Sequence, residues 1–154
     1  MIPWLPLVVI AAHLLEEFVW PGGFAAWYRR IWPERAASVT PKFLVGINAL
    51  NVLLAIGAGQ WFDRPVGLGL WLVVASLAAA NGVFHLRAVL RTGIYSPGVV
   101  TGVVLYIPLA ARGFVYFALN GARADVLIQA ALIGPAYHFY SAWNHRRRAR
   151  RFAA

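Results

Sequence analysis

Four predominantly apolar runs, Phe43 to Phe62, Val66 to Val89, Val99 to Leu119 and Val126 to Trp143, follow one another along the chain. A fifth begins at Ile2 and is broken near its end by His13, Glu16 and Glu17. Each long run approaches or exceeds the roughly 20 residues with which an α-helix crosses the hydrocarbon of a bilayer. Turn-forming residues separate the runs: Trp20-Pro21-Gly22-Gly23, Asp63-Arg64-Pro65, Tyr95-Ser96-Pro97-Gly98 and Asn120-Gly121-Ala122. The pattern predicts an all-α fold, a polytopic membrane helix bundle of about five transmembrane helices with spans near 2–20, 43–62, 66–89, 99–119 and 126–143. Residues 1–145 then make one transmembrane domain, and 146–154 a basic cytoplasmic tail. Residues 24–42, with Trp27, Tyr28 and Trp32 among arginines, read as an interfacial segment, with a short surface helix as one form open to it.

The first run is the shortest, its apolar stretch ending at Leu15. A signal peptide wants a basic start and a small-residue cleavage site, whereas Met1-Ile2-Pro3-Trp4 has no base and the run ends in two glutamates. It is expected to stay as a helix. Composition agrees with a lipid solvent: of 154 residues 61% are hydrophobic and 12% charged, at a mean hydropathy of +0.66, too apolar for a soluble domain of this length. With no cysteine, the redox compartment leaves no trace.

The net charge of +9 suggests nucleic acid until its distribution is considered. Arg29, Arg30, Arg35 and Lys42 stand in the first loop, Arg87 and Arg91 near the third, and Arg146, Arg147, Arg148, Arg150 and Arg151 in the tail, all on one side of a five-span topology. The other side holds Arg64 and Arg123, with Arg112 near the end of the fourth span and expected to snorkel. The positive-inside rule then places the N-terminus outside and the C-terminus in the cytoplasm of a bacterial inner membrane, with no nucleic acid as partner.

Within this frame the rare polar residues fall at one depth. His13, Glu16 and Glu17 lie in the inner half of the first span, Asn48 and Asn51 in that of the second, Asn81 and His85 in that of the third, and Tyr137, His138, Tyr140 and Asn144 in that of the fifth. Ionisable groups in hydrocarbon are costly and usually face a partner inside the bundle. His13 to Glu17 and Asn81 to His85 are both spaced i,i+4, so each pair shares a helix face. Histidines and carboxylates in this number suit one zinc or iron ion. The remaining acids, Glu34, Asp63 and Asp125, lie in or beside loops, so a mononuclear site is favoured over a dinuclear one. Glu17 lies nearer the azimuth of His13 than Glu16 does, which assigns His13, Glu17, His85 and His138 to the metal and leaves Glu16 for proton transfer or support. The blander readings stand beside these: neutral hydrogen-bonding histidines, Asn48 and Asn51 as packing groups, Tyr95-Ser-Pro-Gly as a turn only, and His145 as solvated among the arginines.

His13-Leu-Leu-Glu16-Glu17, Asn81-Gly-Val-Phe-His85 and Tyr95-Ser-Pro-Gly-Val-Val-Thr101, in that order on apolar helices, resemble the HXXEE family of small bacterial integral membrane proteins. That family's further motifs are NAXXH and a Tyr-x-Pro-Gly segment, and Gly82 stands here in place of its Ala. The resemblance spans most of the chain and implies His13, Glu16, Glu17, Asn81, His85, Tyr95, Pro97, Gly98 and Thr101 as motif positions. It implies no substrate.

The leading expectation is a membrane-embedded, metal-dependent enzyme for a hydrophobic or lipid-like small molecule that enters from the inner leaflet. Glu16, Asn81 and Tyr95 are its candidate catalytic residues and membrane lipids its surroundings, with homo-oligomerisation left open. The alternatives are a metal-free acid/base isomerase or cyclase of sterol-isomerase type, a metal or proton transporter, and a scaffold with a structural polar network.

Overall fold

The computed structural model describes residues 2–152. Helix α1 is Leu5–Phe18, α2 Phe24–Ile31, α3 Pro41–Gln60, α4 Pro65–Thr92, α5 Val99–Leu119 and α6 Ala124–Phe152, with a 3-10 helix at Pro33–Ser38 and no strand among the described residues. Proline opens α3 and α4, where its missing N–H costs nothing, and the Thr40 hydroxyl caps α3 by accepting from Phe43 N at 3.2 Å.

Helices α3, α4 and α5 are long and apolar enough to cross a membrane, with mean hydropathies of 1.6, 1.8 and 1.7. The protein is therefore a membrane protein, with three such helices among the described residues. The other two of the five expected spans do not have that length and hydropathy, for different reasons. Helix α1 has 14 residues, about 21 Å of helix against roughly 30 Å of hydrocarbon. Helix α6 is long, but Gln129, Pro135, Tyr137, His138 and Tyr140 dilute its apolar stretch. It runs on without a break through Arg146 to Phe152, so the tail is its last turns.

Helix α4 is the centre. It packs against α1, α3, α5 and α6, and 44% of its most apolar stretch is buried, against 11% for α3, which turns Val45, Leu50 and Leu53 outward. In water such a surface would aggregate; in lipid it is the ordinary exterior. Glycine sets how closely the helices approach. Trp71, fully buried on α4, lies over Gly113 of α5, where a Cβ would come within 2.1 Å of its ring. Where Pro135 interrupts α6 it leaves the Ala131 carbonyl without its helical donor, and Ser76 of α4 supplies one at 3.1 Å while accepting from Gly134 N at 3.1 Å.

Helix α5 contains a π-helical stretch, Gly102–Tyr106, closed by Ile107 N donating to Gly102 O. Pro108 follows immediately and cannot donate to Val104, so the ordinary ladder is already broken there. Gly102 in this stretch meets Gly82 of α4 so closely that a Cβ on Gly82 would lie 2.6 Å from Gly102 O.

The segment between α1 and α3 is a folded cap. Phe24, Trp27 and Tyr28, at i, i+3 and i+4, bury one face of α2 against Phe84 and Ala88 of α4, while Arg29 and Arg30 stay exposed. The 3-10 helix packs on the C-terminal half of α6. His145, expected to be solvated, is buried there instead. Its Nδ1 lies 2.8 Å from the Ser38 hydroxyl and its ring meets Phe43 edge-on, because α6 stays helical and turns that face inward.

Candidate metal centre

Helix α1 presents His13, Glu16 and Glu17 on its buried side, and the three side chains divide the work. Glu16 reaches the start of α5. Its carboxylate accepts from Val100 N at 3.0 Å, Thr101 N at 2.7 Å, the Thr101 hydroxyl at 2.5 Å and the Tyr95 hydroxyl at 2.6 Å. Gly98 precedes α5 and has no side chain to cap it, so an acid from another helix satisfies the free N–H groups and faces the positive end of the helix dipole. Burial, with the carboxylate that it donates to, pushes the Tyr95 phenol up to about 12, which keeps it a donor.

The same hydroxyl fixes His13. Thr101 Oγ1 spends its proton on Glu16, so at 2.7 Å from His13 Nδ1 it can only accept. His13 therefore carries its proton on Nδ1 and turns a bare Nε2 inward. His85 of α4 has its Nδ1 2.8 Å from the fully buried Ser96 hydroxyl, which orients its ring.

Both Nε2 atoms converge on one carboxylate oxygen. Glu17 Oε1 lies 3.4 Å from His13 Nε2 and 3.0 Å from His85 Nε2, yet neither nitrogen has a hydrogen-bond partner in acceptable geometry, and both are buried. Two buried imidazole nitrogens and a carboxylate oxygen close together, with both Nδ1 atoms held against hydroxyls, make a set that could hold a metal ion. Donors held about 2.0 to 2.2 Å from one ion stand roughly 2.9 to 3.5 Å from each other, and both distances here fall in that window. Among the described residues His13, Glu17 and His85 form the group of this kind, with one candidate ligand atom from each within 4.8 Å of the others.

Aromatic rings close the set off. Tyr106, at the end of the π-helical stretch, lies 4.2 Å from the His13 ring centre. Trp27 stacks on His85 at 5.9 Å, and Phe24 and Phe84 meet it edge-on. The floor is Gly98, at φ +97°, where a Cβ would lie 2.7 Å from His13 Cε1 and 3.0 Å from both Glu17 Cγ and His85 Cε1. Only glycine allows the chain to pass there.

The three motif segments thus meet at one point, and residues 4–112 match the family described as a protein of unknown function with HXXEE motif. The chain belongs to the HXXEE family. No curated protein and no solved structure matches it. The two glutamates of the HXXEE motif are unequal, the second joining the histidines and the first holding α5 in place.

Beside the HXXEE centre lies a cavity of about 150 Å³ between α3, α4, α6 and the cap. Glu17 lines it, and Asn48, Asn51, Asn81 and His138 face it. Asn81 Oδ1 is buried there without a partner. His138, expected with the other histidines, is not brought to them. It stands on the cavity wall, 6.1 Å from Phe84, whose ring packs against His85. Tyr95 is away from the cavity, its hydroxyl spent on Glu16. Sequence reasoning had Thr101 and Gly98 as motif positions, Ser96 in a turn and Trp27 in an interfacial segment, none with a part in the site, and did not single out Tyr106. An apolar run does not show which aromatic or serine touches a histidine.

Proposed function

We propose that this chain is a membrane-embedded, metal-dependent enzyme whose substrate is a hydrophobic or lipid-like molecule. One observation carries the reading: two buried imidazoles with unpartnered Nε2 atoms converge on Glu17 Oε1 at the wall of a cavity that three asparagines and His138 also line.

His13, Glu17 and His85 would hold one divalent ion, zinc or iron. When bound, the ion would supply Lewis-acid or water-activating chemistry. Thr101 fixes the His13 tautomer so that its Nε2 lone pair stays available, and Ser96 holds the His85 ring in orientation. Asn81 Oδ1 accepts a donor of the substrate or of a bridging water in the cavity. His138, on the same wall, holds or passes a proton there. Tyr106, Trp27 and Phe24 keep water from the rear of the imidazoles. The cavity is about half the roughly 300 Å³ at which pockets for drug-sized molecules begin, so it takes a headgroup-sized end of a substrate whose apolar part stays outside.

The basic loops and tail support an N-out, C-in orientation in a bacterial cytoplasmic membrane, with α1 lengthened by its flanks Ile2–Trp4 and Val19–Trp20, and the long α6, completing five spans. Reporter fusions after Ala122 and after Phe152 should then be active on opposite sides. For activity, lipid extracts from cells producing the wild-type protein and the His13→Ala or Glu17→Gln variants are compared by mass spectrometry. At least one lipid-like species should change with the wild type alone; identical profiles in all three would contradict an enzyme.

A further inference from the structure

The cavity has two chemically distinct ends. Among the residues that line it, Glu17 is the one carboxylate and Arg35 the one Lys or Arg. Glu17 belongs to the His13–His85 set, whereas Arg35 sits in the 3-10 helix against the far part of α6. Ser38 builds that second end. Fully buried, its hydroxyl donates to Arg35 O at 2.6 Å and lies 2.8 Å from His145 Nδ1, so one serine fixes the arginine backbone and the adjoining histidine wall together.

Arg35 is paired through Nε with Glu34, and the Tyr28 phenol lies beside it. The Arg35 Nε is buried with no hydrogen-bond partner. Glu34 Oε1 comes within 3.0 Å of that atom without hydrogen-bond alignment, and the Glu34 side chain is 59% exposed, so the pair is open to water and easily exchanged. The guanidinium lies 5.9 Å from the Trp32 ring centre, which orients the fork without neutralising it. His145 is pushed below its ordinary value by burial and then by Arg148 and Arg35, a positive field that also favours an anion.

We propose that Arg35, beside His145, is the headgroup-recognition residue of the cavity, and that the substrate is an anionic amphiphile whose negative group sits at Arg35 while its neighbouring bonds reach Glu17. This rests on the enzyme reading above and adds the substrate class to it. A planar arginine fork suits a phosphate or carboxylate, and the bonds are charge-assisted. A lipid headgroup and a free inorganic anion offer the same chemistry, and the cavity's size admits either.

Three probes separate the cases with the full chain in a neutral detergent: dihexanoyl phosphatidate, inorganic phosphate and dihexanoyl phosphatidylcholine. Binding is read from tryptophan fluorescence, since Trp32 and Trp27 are close by. Phosphatidate should bind, phosphate more weakly because it lacks the apolar part, and phosphatidylcholine least. Arg35→Gln should weaken phosphatidate by about tenfold or more, and Arg35→Lys by less, since it keeps the charge and loses the fork. The Arg29→Gln/Arg30→Gln double variant removes exposed charges outside the cavity and should bind as the wild type does. If Arg35→Gln folds poorly, the comparison of Arg35→Lys with the wild type carries the test. Wild-type affinity in a folded Arg35→Gln variant, or in Arg35→Lys where Arg35→Gln does not fold, overturns the proposal, and so does a loss in the Arg29→Gln/Arg30→Gln variant as large as that in Arg35→Gln, which would mean non-specific attraction to a basic surface. So does equal binding of phosphatidylcholine and phosphatidate. Metal content is measured on the same samples. Arg35-dependent binding by protein that never carries metal would sink the metal-enzyme reading and leave this one standing; metal retention without Arg35-dependent binding would do the reverse.

Discussion

Gly98 lies against His13 so closely that a Cβ at position 98 would stand 2.7 Å from the imidazole Cε1. The backbone at Gly98 is also left-handed, at φ +97°, which costs other residues about 1–3 kcal/mol. Gly98→Ala should therefore lower thermal stability and displace the ring. A fall in melting temperature with loss of metal affinity, measured together, checks this; an alanine variant with unchanged values of both would show that the loop does not press on the site.

Glu16 and Glu17 should separate on mutation, because one holds a helix and the other faces the imidazoles. Glu16→Gln places an NH₂ against backbone N–H donors of α5 and should cost about 1–2 kcal/mol of stability, by analogy with a lost helix cap. Thr101→Val keeps the shape but frees the His13 tautomer, and loss of such an outer partner weakens metal binding by about 10- to 100-fold. Thermal unfolding and competition with a chromogenic chelator read the two effects.

Much of this division was legible in the sequence. The i,i+4 spacing puts His13 and Glu17 on one azimuth, and the spacing of Asn81 from His85 brings the asparagine to the cavity that adjoins the histidine. The position of His138 was not legible, since depth along α6 says nothing of which side of Phe84 it takes. Nor were the span lengths: hydropathy counts residues, whereas Trp4 and Val19 bound α1 at 14 residues and the polar side chains of α6 are visible only as dilution. His145 misled because its neighbours are arginines. Ser38 and Phe43, far off in sequence, decide its burial.

Gly82 sets the close approach of α4 to Gly102 of α5. Gly82→Ala would bring a Cβ to 2.6 Å from Gly102 O and force α4 from α5, at a cost of about 1–3 kcal/mol typical of overpacking. Chemical or thermal denaturation should show the loss. A more stable variant would mean that the two helices separate freely at the crossing.

His145 gives a pH dependence of known sign. Burial, then Arg148 and Arg35, hold its imidazole below the ordinary 6.5, so the unfolded chain takes up a proton near that pH that the folded chain refuses. Its contribution to stability is complete above 6.5 and falls as the pH drops below it. His145→Gln should flatten the acid side of the curve of melting temperature against pH. An unchanged slope would show that His145 does not control it.

The most direct measurement is the metal content of the detergent-purified protein, by plasma mass spectrometry, for the wild type and for His13→Ala, His85→Ala, Glu17→Gln and His138→Ala. The expected result is about one zinc or iron per chain in the wild type and in His138→Ala, and none above background in the other three. Equal content in the wild type and both histidine variants of the pair, whether one ion or none, would contradict a metal centre at His13, Glu17 and His85.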